Sequence, residues 1–249
     1  MIRREALLSA LFDPILNWRL LPGSHPFPGP DGGTCINEAA LVAAGLPYRA
    51  IRSSADCPPC FSVPLAAYAL GLNDAMPDDE RPRLMVFVLR LAGSADDAAI
   101  EDARTAHLVL EGVRRLLPPV LERAGLRPHA AACRSADDLG RAVTVARHAA
   151  WAAGSLAEAA GREGAWARGA TAAAAARAAR SATEIDARTA ADAAEAAALF
   201  WPGAWAEAVA ILDEAARIGR QAPALGLDDA AIRLEAAKAA RHGQAHAPV

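Results

Sequence analysis

Fourteen of the seventeen prolines in this 249-residue chain lie at or before Pro128, and none falls between 136 and 198. A proline inside a helix removes a backbone hydrogen bond and clashes with the preceding turn. The first stretch is therefore restricted to short helices and turns, while the second is free to run as long helices. Alanine follows the opposite course, with 23 in the first 140 residues and 44 in the last 109. It is the strongest helix former, and its small side chain lets neighbouring helices approach closely. The expected fold is all-α, an irregular Pro/Gly-rich N-terminal segment packed on helices and followed by an Ala-rich helical bundle. Composition divides the chain into a Cys/Glu-bearing helical domain, 1–128, and an Ala-rich helical region, 129–249, either separate from the first or continuous with it.

With 26 basic and 29 acidic side chains the formal charge is −3, which leaves no broad basic footprint for nucleic acid. The longest purely apolar run, LMVFVL at 84–89, is far short of the ~20 residues a membrane-spanning helix needs. The first 18 residues begin with basic groups, but Asp13 and Pro14 interrupt them and no small-residue cleavage site follows. These features predict a soluble, cytoplasmic chain without a targeting peptide. Lys238 is the sole lysine, which together with the alanine excess points to a GC-rich bacterial genome.

Periodicity and punctuation predict helices over 3–12, 35–44, 63–73, 78–91 and from 96 or 97 to 117, with a kink or new start at Pro118 and Pro119 through Ala124. Asp78 is placed as an N-cap, and Gly45 before Pro47 as a stop. Residues 21–34 read as a constrained loop and 46–60 as irregular. Two further helices are expected at 203–219 and 228–241. Trp151 and Trp166 are expected to be sparse anchors in the Ala-rich part, which is a candidate surface for a homo-oligomer or a protein partner. Phe200, Trp201 and Trp205 read as core, and Arg177, Arg180 and Arg188 as a solvated face.

The chemistry is concentrated between His25 and Cys60, where three of the four cysteines fall. In a reducing compartment, clustered thiols favour a metal site or thiol chemistry over a structural disulfide. Cys35 and Glu38 are three residues apart, so a helix would point both at one place. Cys57 and Cys60, in Asp56-Cys57-Pro-Pro-Cys60, have the separation by which one short turn delivers two sulfurs to a tetrahedral ion. The candidate metal ligands are therefore Cys35, Glu38, Cys57 and Cys60, with Asp56 or His25 able to replace one. Thiolates select zinc, or less expectedly iron–sulfur, over hard cations.

Two enzyme readings compete. Cys57-Pro-Pro-Cys60 resembles the redox dithiol of thioredoxin-like proteins, although the polar residues before it are unlike the strand that fold requires. Cys35, following Asp31-Gly-Gly-Thr34 at a helix start, is similar to the nucleophile of papain-like and transglutaminase-like hydrolases. No strand-borne histidine follows it, and His107, His129 and His148 read as helix-associated. The His242/His246 pair falls in a polar tail. Gly29, Gly32 and Gly33 fit no phosphate-binding fingerprint. The third alternative is a metal-free helical interaction or oligomerisation protein.

Taken together, Cys35-Ile-Asn-Glu38-Ala39, Asp56, Cys60-Phe-Ser62-Val-Pro64, Leu72-Asn73-Asp74, Asp79, Arg81 and Arg90-Leu-Ala-Gly-Ser94 resemble a group of uncharacterised bacterial and phage-associated proteins. The likeness covers about 35–125. It implies a common constellation of Cys35, Glu38, Asp56 and Cys60, with Cys57 a more individual feature. A histidine in the polar stretch of that group has no counterpart here, where Ser53 and Ser54 stand. The resemblance carries no activity, so enzyme function stays open, and the reading reached is a zinc-binding helical protein.

Overall fold

The structure, a computed structural model, describes residues 18–26, 33–223 and 225–244. The expected helix 3–12, most of the glycine-rich part of the 21–34 loop and the His242/His246 side chains lie outside the described residues. Ten α-helices are present among the described residues. They are α1 Ile36–Ala43, α2 Val63–Ala75, α3 Ala98–Glu111, α4 Leu117–Arg123, α5 Arg127–Arg134, α6 Leu139–Arg162, α7 Trp166–Ser181, α8 Ala187–Ala198, α9 Ala204–Ala215 and α10 Leu227–Gln244. The only extended pairing among these residues is two isolated bridges, Leu20 with Thr34 and Phe61 with Ala92. The fold is all-α. No helix among the described residues is long and apolar enough to cross a membrane.

The described residues form two compact units, one from Met1–Asp96 and Gly219–Val249, the other from Asp97–Ile218. The spatial division and the alanine shift thus fall at different places in the chain.

In the first unit, every residue of α1 is buried. The helix ends as its sequence predicts: Gly45 takes φ +71°, a conformation open to glycine, and the Leu46 amide bonds back to Leu41 O at 3.0 Å. Arg233 of α10 donates to Ala43 O at 2.9 Å, satisfying a carbonyl at the same helix end. Gly33 makes the Leu20–Thr34 bridge possible, because a Cβ there would collide with the Arg19 carbonyl.

The expected helix over 78–91 is replaced by a 3₁₀ segment, Arg81–Phe87. Asp78 does not act as an N-cap; its Oδ1 accepts from Arg81 Nη1 at 2.5 Å. Arg81, buried, also donates to Asn73 O at 2.8 Å, Leu20 O at 3.4 Å and Met76 O at 2.5 Å. Helix geometry yields locally to a guanidinium that satisfies three backbone carbonyls.

The second unit begins at α3, where Asp97 accepts from Ile100 N at 3.0 Å as the N-cap. Pro118 and Pro119 cannot donate to the carbonyls one turn back, and the chain before them widens into a π turn, Gly112–Leu116. That is the form taken by the expected interruption. The short helix α5 was not foreseen. Asp138 and Asp186 cap α6 and α8 through the amides of Arg141 and Thr189. The core where α6, α7 and α8 meet is largely alanine, including Ala146, Ala149, Ala153, Ala175, Ala179 and Ala193. Trp205 is buried and Trp201 packs partly against that core, whereas Trp151 and Trp166 are each 77 % exposed and anchor nothing within the unit.

Candidate functional site

Cys35 and Glu38 meet at the N-terminus of α1, and each is 0 % exposed. The Glu38 amide donates to Cys35 Sγ at 3.5 Å, and the Cys35 amide donates to Glu38 Oε2 at 3.0 Å. This is a capping box with a thiol where serine or threonine usually stands. The Glu38 carboxylate goes further. Its Oε1 accepts from the amides of His25 and Ile51, both at 3.0 Å, and its Oε2 lies 3.2 Å from His25 Nδ1. One buried carboxylate therefore fastens three separate stretches, around 25, 35 and 51. Tyr48 closes the group by donating its hydroxyl to His25 O at 2.9 Å.

Electrostatics match this enclosure. Burial raises the Cys35 thiol well above its ordinary value, and the neighbouring Glu38 charge adds to the effect. The Tyr48 hydroxyl is raised in the same way, by burial first and then by Glu38 and Cys35. A buried thiol held in its neutral form is the opposite of the activated thiolate that nucleophilic catalysis uses.

Cys57 and Cys60 occupy a different setting in the same unit. Both are part-exposed free thiols. The turn that carries them is fixed at both ends: the Cys57 amide bonds to Ser54 O at 3.1 Å and the Phe61 amide to Pro58 O at 2.9 Å. Cys60 O accepts from Gly93 N at 2.9 Å and Ala95 N at 3.0 Å, and Ser62 N donates to Ser94 Oγ at 3.0 Å. Gly93 and Ser94 of the Arg90–Ser94 run thereby hold the dithiol turn. Burial pushes the Cys57 thiol up to about 12; Arg49 opposes that shift, and the charges of Asp56 and Cys60 add to it. Asp56 caps the preceding loop, its Oδ2 accepting from Arg52 N and Ser53 N at 2.9 Å and from Ser53 Oγ at 3.3 Å. The amides of Arg52 and Ser53 hold this carboxyl below its ordinary range.

The five expected ligands thus fall into a Cys35–Glu38 pair, a Cys57–Cys60 pair and Asp56 in its own loop. Among the described residues no three His, Cys, Asp or Glu side chains gather as a ready metal cage. As donors, the two pairs differ. Both Glu38 oxygens and the Cys35 sulfur are engaged by backbone amides, whereas Cys57 and Cys60 present two soft donors on a rigid, part-exposed turn. A Cys-x-x-Cys turn has the spacing by which two sulfurs can reach one ion.

Asn73 and Asp74, whose residue types suggest a helix end and a turn, and Arg81 instead tie separate segments together. Asn73 Oδ1 accepts from Ile36 N at 3.2 Å while its Nδ2 donates to Leu21 O at 2.8 Å. Asp74 Oδ1 accepts from Gly23 N at 2.9 Å. With Arg81 they tie the 18–25 stretch to α1 and α2, so the signal was one of architecture. In the second unit, His107 Nε2 lies 3.4 Å from Glu214 Oε2, and His129 and His148 line one shallow cleft between α5 and α6. Arg177, Arg180 and Arg188 are exposed, as expected of a solvated face.

Comparisons with protein-family models, with curated proteins and with solved structures find no match for this chain.

Proposed function

We propose that this is a metal-binding helical protein whose centre is built on the Cys57–Cys60 turn, with zinc as the ion. The observation that carries the reading is the contrast between the two pairs of residues. Cys35 and Glu38 are buried and committed to the backbone. Cys57 and Cys60 are part-exposed on a turn locked by the Cys60 carbonyl. Two prolines between the sulfurs fix φ, which lowers the ordering cost of bringing both to one ion. Bound there, zinc would supply a cross-link that stiffens the 46–60 loop and adds to folding free energy. Cys35, Glu38 and His25 form a separate clamp in the same unit.

The test is metal content of protein purified without chelators, with cobalt substitution as an optical readout of thiolate ligation. Wild type and Cys35→Ser should retain the ion, Cys57→Ser and Cys60→Ser should lose it, and Cys133→Ser should retain it. Metal-free wild type with freely reactive Cys57 and Cys60, and with the same melting temperature with or without added zinc, would overturn the reading.

A second reading, association of the Ala-rich helices with another polypeptide, is favoured by the exposure of Trp151 and Trp166. Its readout is tryptophan fluorescence: a concentration-dependent blue shift that Trp151→Ala and Trp166→Ala diminish supports it, and spectra independent of concentration count against self-association.

A further inference from the structure

Two of the arginines on the solvated face of α7 also form one wall of a cleft. A hollow of about 370 Å³ opens between α7 and α8, with Arg177, Arg180 and Ser181 on the first helix and Asp192 and Glu195 on the second. The two helices pack through a core that is largely alanine, so their backbones lie close and the long side chains rise on either side of the seam. Arg177 and Arg180 are three residues apart, as are Asp192 and Glu195, and that spacing sets each pair on one face of its helix. Buried Ala196 and Leu199, 57 % exposed, add apolar lining.

The charges on the two walls do not satisfy one another. Among the described residues, Arg177, Arg180, Glu195 and the Ser181 hydroxyl make no side-chain hydrogen bond or ion pair. Asp192 engages Arg188 of its own helix at 3.7 Å. Elsewhere in this unit, arginines and acids on neighbouring elements do pair, Arg115 with Glu214 at 2.6 Å and Arg134 with Glu122 at 2.7 Å. We propose that the cleft binds a small zwitterion, an anionic head joined by an aliphatic body to an amine. The anionic head, a carboxylate or a phosphate, docks on Arg177, Arg180 and the Ser181 hydroxyl, because a guanidinium fork matches either group. The amine docks on Glu195 and Asp192, and the body lies against Ala196 and Leu199. The C-terminal end of α7 opposes an anion with about half a charge, which two guanidinium groups outweigh; the same dipole at the end of α8 favours the amine. A cleft of about 370 Å³ lies at the low end of the ~300–1,000 Å³ of small-molecule sites, which sets the ligand at metabolite size. A singly charged molecule would engage one wall and leave the other in water.

The experiment titrates the full chain, followed by amide NMR shifts, with ε-aminocaproate and with O-phosphoethanolamine. These probes share the two opposite charges and differ in the anionic head. Caproate, hexylamine and inorganic phosphate are the controls that carry charge of one sign. The expected result is saturable binding of at least one zwitterion, with shifts centred on α7 and α8 and an affinity at least tenfold above every control. The tighter of the two zwitterions identifies the head as carboxylate or phosphate. Combining Arg177→Gln with Arg180→Gln should weaken that binding at least tenfold, and Glu195→Gln should lower the affinity for the zwitterion towards that of the anionic control. These side chains are exposed or unpartnered, so the variants should keep the circular dichroism and melting temperature of wild type, which separates loss of binding from loss of fold.

Failure of both zwitterions to bind saturably would overturn the proposal. So would a control that binds as tightly as the zwitterions, or binding undiminished in the double arginine variant. The site lies wholly within the second unit and involves no thiol, so each of these results leaves the metal reading of Cys57 and Cys60 untouched.

Discussion

Burying an ionised carboxylate is costly unless its lone pairs are satisfied, and Glu38 meets that requirement with three amides and an imidazole. The consequence is that Glu38→Gln, which replaces one acceptor oxygen with a donor facing those same amides, should destabilise the protein by roughly 2–4 kcal/mol in urea unfolding. Cys35 makes a weaker contribution. Cys35→Ser keeps a capping acceptor and should cost little, whereas Cys35→Ala should cost about 1 kcal/mol. Equal losses from both would show that volume, and not the cap, is what matters there. The i, i+3 spacing of these residues was legible in the sequence, as was their convergence. What spacing could not distinguish is whether they converge on an ion or on the backbone. The capping box has the same separation, and a cysteine in the serine position disguises it.

At the scale of elements, helices were legible where start or stop signals frame a run of helix formers, as in α1, which ends at Gly45 before Pro47, and at the start of α3, which Asp97 caps. The segment after Asp78 was not, because its conformation is decided by residues far away in sequence. Arg81 reaches back to Leu20 O and Asn73 O, and no local propensity encodes that contact. Arg81→Lys should therefore lower the melting temperature almost as much as Arg81→Met, since a single ammonium cannot span the acceptors that the guanidinium fork reaches. The same pair gives a pH dependence. The hydrogen bond from Arg81 holds Asp78 below its ordinary carboxyl range. A carboxyl lowered in the folded state contributes stability above its unfolded value, and this contribution is lost as pH falls through the lowered folded one. Asp78→Asn should thus flatten the acid limb of a stability-against-pH curve; an unchanged limb would assign the acid sensitivity elsewhere. In α6, Gly154 sits mid-helix with open space where a Cβ would go. Gly154→Ala should raise stability by about 1 kcal/mol, read from thermal unfolding.

For the whole molecule, alanine frequency marks how helices pack, whereas the division into units depends on which ends of the chain return to which core. Asp96 is bonded to the Arg220 amide, and Arg104 donates to Ile218 O at 3.0 and 2.8 Å. Each closure joins positions more than a hundred residues apart, a range at which composition carries no signal. The second unit is continuous in sequence, has its own core and caps its helices with its own aspartates. A fragment covering 95–221 should therefore fold as a helical protein with a cooperative thermal transition. The first unit is discontinuous. α10 must return to α1, where Arg233 satisfies Ala43 O. A chain ending at 221 should keep the transition of the second unit and lose protection from hydrogen exchange in α1, because the C-terminal carbonyls of α1 lose their cover. Retention of full α1 protection in that truncated chain would mean that the Glu38 clamp and the Asn73–Arg81 ties hold the first unit together unaided. The alternative outcome assigns α10 a structural task that its sequence, polar and only weakly amphipathic, does not advertise.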